Sequence, residues 1–167
     1  MTRLVMTVTY VKKEGKILLG KKLIRHGKGY WNGFGGHVKT NETINDAAIR
    51  ELWEETKDKN RNGIVPLAIY KCGIILAVHE HKNEKLELHY FMVTEFKGEA
   101  HETNEMIPKW FDTNNIPFKQ MWQSDKFLIP FFLKEKKRTG YIYYDEEKNI
   151  IKKKIKTVRI LPVSIKI

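Results

Sequence analysis

Apolar and polar residues alternate with a period of two over residues 4–11, a stretch rich in Val and Thr, which predicts a β-strand. Lys12-Lys13-Glu14-Gly15 reads as a tight turn, and residues 16–22 return as the second strand of a hairpin. The pattern breaks over residues 25–36, where Gly27, Gly29, Gly33, Gly35 and Gly36 predict a loop whose backbone a ligand can approach closely. From residue 43 to 57 the period becomes helical. Ile44, Ala48 and Leu52 form an apolar stripe, Thr43 is the N-cap with Asp46 as its capping-box partner, and the small Ala47 and Ala48 allow close packing on a sheet. Residues 58–63 are polar and end in glycine, a loop. Two long strands are expected at 67–78 and 86–96 around a polar turn at 79–85, with a short strand at 107–111. Residues 123–137 read as a second helix, kinked or delayed by Pro130. Residues 141–144 and 150–158 form a last hairpin around 145–149. Strands before, between and after two helices predict an α/β (α+β) sandwich.

A chain of 167 residues fits one domain, here expected over 1–167 with a basic hairpin and tail at about 138–167. That size supports a core without staples. The single cysteine, Cys72, excludes a disulfide framework and a Cys-based zinc site; it sits in an apolar stretch and packs as a small hydrophobe. The longest apolar runs, such as 128–133, fall far short of the roughly 20 residues of a membrane helix, and the first residues carry no long apolar signal segment. A soluble, cytoplasmic, monomeric protein without a membrane partner is expected.

Charge is unevenly spread. Residues 1–40 carry +8, residues 41–133 carry −4 and residues 134–167 carry +7, for a net +11. Basic ends favour a phosphate-bearing partner, and an acidic middle favours a cation. The alternative is that Lys136-Lys137-Arg138 and Lys152-Lys153-Lys154 are solvated faces. On the first predicted helix Glu51, Glu54 and Glu55 share one face. Like charges at that spacing cost about 0.2–0.5 kcal/mol per pair, a sign that a divalent cation with hard oxygen ligands, Mg²⁺ or Mn²⁺, would reverse. Left alone they are an acidic solvent face, with Asp46 and Arg50 as a supporting i,i+4 pair.

Upstream spacing adds to this. After Gly36 come five residues, Glu42, seven residues, and then Arg50-Glu51-Leu52-Trp53-Glu54-Glu55. This pattern resembles the Nudix box at the correct separations. The resemblance implies a Nudix-type α/β/α sandwich with a mixed central sheet. It also implies Mg²⁺-dependent hydrolysis of a nucleoside diphosphate-linked substrate. Lys57 stands where the box ordinarily ends in glycine, with Asp58 at the usual aliphatic position. Further segments, Trp31-Asn32-Gly33-Phe34-Gly35-Gly36, residues 104–111, residues 116–122 and Gly140-Tyr141, are similar to the animal-type MutT relatives. Those enzymes hydrolyse oxidised purine nucleoside triphosphates such as 8-oxo-dGTP and 2-hydroxy-dATP to the monophosphate and pyrophosphate.

By that resemblance Thr7, Lys22, Asn32, Phe34, Trp122, Ser124 and Asp125 bind substrate, with Trp122 stacking on the base and Ser124 and Asp125 on the purine edge. Metal falls to Glu51, Glu54, Glu55, Glu105 and the Gly35 carbonyl, and the general base to Glu51, Glu54 or Glu105. The relatives have paired acids where Ser124-Asp125 stand, and an aromatic hydrocarbon ring at the position of His26. Two other readings are open. One is a Nudix hydrolase of RNA 5′ ends, favoured by the basic C-terminal segment and by Tyr141, Tyr143 and Tyr144 as stacking rings. The other is a non-catalytic nucleotide or nucleic-acid binding module. His79 and His81 are either metal ligands or part of a turn, and Phe127, Leu128, Phe131 and Phe132 are expected in the core.

Overall fold

A computed structural model describes residues 2–25 and 27–166; His26 lies outside the described residues. In chain order the elements are β1 (Thr2–Lys13), β2 (Lys16–Lys22), β3 (Trp31–Asn32), α1 (Ile44–Thr56), β4 (Val65–His79), β5 (Glu84–Lys97), β6 (Met106–Asp112), α2 (Ile129–Leu133), β7 (Lys137–Tyr144) and β8 (Ile150–Val158). The strands join one mixed sheet in the order β3-β2-β1-β5-β4-β7-β8, with β6 also on β2. β1 runs parallel to β5, and β4 parallel to β7; the other pairings are antiparallel. The architecture is the mixed α/β class that the alternation of strands and helices predicts.

The period-two pattern decides which side chain meets which layer. Tyr10, Ile17, Leu19 and Met92 pack on one face with Leu128, Ile129 and Phe132, the region of α2. Their neighbours Val11, Leu18 and Val93 point the other way and pack with Leu52 of α1. Further along that second face Ile74, Leu76 and Val78 of β4 lie under Ile165 and Leu161 of the C-terminal tail. Cys72 is buried in the first cluster, as its apolar surroundings predict.

α1 has the expected cap: the Asp46 N–H donates to Thr43 Oγ1 at 3.1 Å, and the Thr43 hydroxyl donates to the Asp46 carboxylate at 2.6 Å. The helix predicted over 123–137 is shorter. A 3₁₀ turn at Asp125–Phe127 leads into the five residues of α2, and β7 already begins at Lys137. Pro130 sits in the first turn of α2, where its missing N–H costs no helical bond. Glu135 at φ 58° then ends the segment.

The tail is tied back to the start of the chain. Arg3 donates to the Ile165 carbonyl at 2.8 Å and pairs with Glu87, whose other oxygen meets His89 Nε2 at 2.8 Å. Burial holds His89 down at about 4, so its imidazole is neutral there. Among the described residues no helix is long and apolar enough to cross a membrane.

Candidate active site

β1 and β2 part company early. They pair only through Val11↔Leu18, Lys12↔Ile17 and Lys13↔Lys16, after which β2 turns to β3 and β6. The glycine-rich segment fills the gap beside β1. The Thr9 N–H donates to the Phe34 carbonyl at 2.6 Å, the Thr7 N–H to the Gly36 carbonyl at 2.9 Å and the Val38 N–H to the Val5 carbonyl at 3.0 Å. The fit requires glycine: a Cβ on Gly35 would run into the Thr7 carbonyl, and one on Gly36 would lie 2.6 Å from the Glu51 carboxylate.

α1 brings its acids to that segment. The Gly35 N–H donates to Glu55 Oε2 at 2.8 Å. Burial is the main reason the Glu55 carboxyl is pushed up to about 8; the Gly35 N–H and Lys22 oppose it, while Glu51 and Glu105 add repulsion. Arg50 grips Glu42 with two bonds, 2.6 and 2.9 Å, and reaches Glu51 at 2.7 Å, Glu54 at 3.0 Å and the His37 carbonyl at 3.0 Å. That guanidinium holds Glu42 down at about 2. The expected Asp46–Arg50 pair is replaced by this set, because Asp46 is engaged in the cap.

The box's exit differs from the glycine-terminated pattern for a local reason. Lys57, the C-cap, is in extended backbone (φ −73°, ψ 143°), so no left-handed residue is needed. Its ammonium lies 4.3 Å from the Trp53 ring centre, with Arg61 at 4.8 Å from the same ring. Asp58 closes the loop by accepting from the N–H groups of Asn60 (2.9 Å) and Asn62 (2.8 Å). Gly63 then packs against the Lys57 backbone, where a Cβ would sit at 3.0 Å.

One cavity of about 480 Å³ collects most of the candidate residues, a size that suits a nucleotide. Thr7, Lys22, Asn32, Gly35, Glu51, Glu55 and Glu105 line it, as do Trp122, Ser124 and Asp125. Asp125 is fully enclosed, and burial raises its carboxyl to about 7; the Tyr10 hydroxyl, 3.4 Å away, works against that shift. Trp122 is ringed by aromatic groups at steep angles: Tyr30 at 5.6 Å and 81°, Tyr144 at 5.9 Å and 70°, and His79 at 6.5 Å and 70°. The Lys148 ammonium lies 5.5 Å from the Trp122 ring and 5.4 Å from Tyr30.

Two expected residues fall outside this wall. Phe34 is completely buried among Leu52, Ile64 and Met106, so it supports the site from the core and is not a substrate contact. Glu54 turns to Arg50 and solvent and does not line the cavity. Pattern reading did not assign Tyr10, His79 and Tyr144 to this site; the fold brings them to the cavity from β1, β4 and β7, and Lys148 of the β7–β8 turn lies against Trp122. For His79 a signal existed: it continues the same-face series Ile75, Ala77. His81, in the 3₁₀ turn Glu80–Lys82, lies edge-on to His79 at 5.9 Å.

The donor set suits a hard cation: Glu51, Glu55 and Glu105 line one cavity as carboxylates, and Glu55 feels the other two as like charges. Among the described residues no three acidic, His or Cys side chains already converge as a closed metal cage. His79 is the last residue of β4, and His81 lies in the 3₁₀ turn that follows it.

The profile of the NUDIX domain matches residues 1–132. The chain is 38% identical over 160 residues to an oxidized purine nucleoside triphosphate hydrolase of Danio rerio, covering 96% of this chain and 99% of the other. To the protein of that name from Mus musculus it is 34% identical over 152 residues, 91% of this chain and 94% of the other. Among solved structures, a MutT protein of Bacillus halodurans superposes with a TM-score of 0.79 at 24% identity, covering 91% of this chain and 97% of that one. A MutT NUDIX hydrolase of Burkholderia pseudomallei gives 0.68 at 20% identity, covering 78% and 98%. Both carry the fold.

Proposed function

Because this chain belongs to the Nudix hydrolase family, we propose that it hydrolyses oxidised purine nucleoside triphosphates, such as 8-oxo-dGTP and 2-hydroxy-dATP, to the monophosphate and pyrophosphate. The reaction depends on Mg²⁺, with Mn²⁺ as a substitute, and its role is sanitation of the nucleotide pool in the cytoplasm. One observation carries the reading. A single cavity joins the carboxylates Glu51, Glu55 and Glu105 and the cation Lys22 to an aromatic and acidic wall, Trp122, Ser124 and Asp125. Phosphates and a base need those two chemistries within one nucleotide's length.

Glu51, Glu55, Glu105 and the Gly35 carbonyl would hold the cation, with Glu54 joining if it leaves Arg50. A bound Mg²⁺ would neutralise the phosphates and acidify a water. The protein's own groups do the rest. Lys22 meets phosphate as a point charge. Glu51, Glu54 or Glu105 takes the proton of the attacking water. Arg50 limits the freedom of Glu51 and Glu54, so that their carboxylates are aimed before substrate arrives. Asn32, its Nδ2 already donating to the Tyr30 carbonyl at 2.9 Å, keeps an amide oxygen and a second hydrogen for the ligand. Trp122 stacks on the base, and Asp125 reads its edge as acceptor or, when protonated, as donor.

The test is pyrophosphate release with Mg²⁺ from dGTP, 8-oxo-dGTP, dATP, 2-hydroxy-dATP and a 5′-triphosphorylated RNA. A kcat/KM at least about tenfold higher for an oxidised purine, about 1.4 kcal/mol of transition-state discrimination, is expected. Flat activity across nucleotides would overturn it, and RNA as the best substrate would favour the RNA-end reading.

A further inference from the structure

A dense row of charge lies away from the cavity, on the last hairpin of the sheet. β8 ends the strand order, and residues 150–166 hold five lysines, one arginine and no acid. The acids of this hairpin, Asp145, Glu146 and Glu147, are confined to its turn. Register decides where the charges point. Lys152 pairs with Tyr143, Lys154 with Tyr141 and Lys156 with Thr139. Tyr143 and Tyr141 lie beside Val78 and Leu76 of β4, the residues under Leu161 and Ile165. The cavity instead takes Ala77, His79 and Tyr144, which have the opposite parity. Three lysines and two tyrosines therefore share the face of the sheet turned away from the cavity. Lys153, of the other parity, lies 4.4 Å from the Phe127 ring instead.

Two chemistries meet on that face. Lys152, Lys154 and Lys156 are exposed and, at every second position of a strand, stand about 6.5–7 Å apart in a line. A linear polyanion can follow such a line with one phosphate per lysine. Tyr141 and Tyr143 are half-buried against the core cluster, so their rings are held in place beside the row. The Lys152 ammonium lies 5.5 Å from the Tyr143 ring centre and 5.8 Å from that of Tyr141. Cations that track a backbone beside aromatic rings that accept bases are what a single strand needs. A duplex keeps its base faces stacked and would use the lysines alone. Guarding the free edge of a sheet is another use of lysine, but charges of either sign serve it, and this segment contains no acid.

We infer that the β7–β8 face is a docking surface for single-stranded nucleic acid, with phosphates along Lys152, Lys154 and Lys156 and bases against Tyr141 and Tyr143. The inference does not depend on the triphosphate reading. A strand held here lies on the opposite side of the sheet from the cavity, so it is a partner that localises the protein and not a substrate.

The experiment is fluorescence anisotropy of a labelled oligo(dT) over a series of KCl concentrations. Removing three cations together, Lys152→Ala/Lys154→Ala/Lys156→Ala, is expected to raise Kd by at least about tenfold and to make the slope of log K against log salt shallower by about 2, the loss of three phosphate contacts. Removing the same charge from the β1–β2 turn, Lys12→Ala/Lys13→Ala/Lys16→Ala, is expected to leave Kd within about twofold of wild type. An abasic strand of equal length, which keeps the phosphates and lacks the bases, is expected to bind wild type at least about fivefold more weakly. Equal losses in the two triple variants would reduce the effect to net charge and overturn the proposal. So would equal binding of the abasic strand, or inhibition of triphosphate hydrolysis by saturating oligo(dT), which would put the strand in the cavity. Capture of phosphatidylserine vesicles through the same lysines, without binding of oligo(dT), would overturn it as well and make the face a membrane contact.

Discussion

The two flanks of the cavity solve opposite electrostatic problems. On the α1 flank acids are crowded around a cation: Arg50 contacts Glu42, Glu51 and Glu54, and Glu42 is held at about 2. On the base flank enclosure works against ionisation: burial raises Asp125 to about 7, against the Tyr10 hydroxyl and the backbone at Trp122. Glu55 stands between the regimes, on the charged helix but buried, and is raised to about 8. The lesson is that one pocket can hold a polyanion at one end and distinguish uncharged base edges at the other only if its two ends differ in hydration.

The largest effect should come from the charged flank. Glu51→Gln, Glu54→Gln and Glu105→Gln are each expected to lower kcat by about 10²–10⁴ if they serve in proton transfer or hold the cation. Circular dichroism and melting temperature should stay near wild type. A rate within threefold of wild type in all three would break the assignment of the acid face to the chemistry.

The base flank yields the next effect, and it is a pH effect. Asp125 has a folded value near 7 against about 3.9 in an unfolded chain, so the native state holds a proton that the unfolded state has released. Its contribution is complete below about pH 4 and is lost as pH rises through 7, a change of a few kcal/mol. Urea unfolding of wild type should therefore weaken from pH 5 to pH 8 more than that of Asp125→Asn. Equal pH slopes would mean that Asp125 is not enclosed as described. Glu55 contributes in the same direction in both proteins and cancels in the difference.

Two smaller effects sharpen the comparison. Trp122→Ala should raise KM by about 1–3 kcal/mol of lost stacking while leaving kcat nearly intact, which stopped-flow binding of substrate would separate from chemistry. Lys57→Gly, which restores the usual residue of the box, should lower stability by about 0.5–1 kcal/mol instead of raising it. The loss comes from the Trp53 contact, and the extended backbone at 57 gains nothing from glycine. A higher melting temperature for Lys57→Gly would show that the exit loop is strained.

The charged flank was legible in the sequence because its residues lie within one helix and one loop. Fixed offsets from Gly36 to Glu55 place them on one face before any tertiary structure is known. The base flank was legible only where a local segment, residues 116–125, carried it. His79 and Tyr144 come from strands that are remote in sequence and meet only because β4 lies parallel to β7, a pairing that no local pattern encodes. Phe34 misled for a related reason. It sits in the glycine segment that forms the site, but its ring turns to the core, while the Gly35 N–H bonds Glu55 and Gly36 lies against the Glu51 carboxylate. The second helix was overestimated because apolar spacing over 123–137 satisfies one long helix and a 3₁₀ turn followed by a five-residue helix equally well.

Cys72 extends the argument to chemistry unrelated to nucleotides. Peroxides and alkylating agents attack the thiolate, and burial drives the Cys72 thiol far up from its ordinary range. The chain's only sulfhydryl is therefore chemically silent while the protein is folded. Exposure to hydrogen peroxide should leave it reduced until the core opens, which makes its labelling rate a clock for global unfolding.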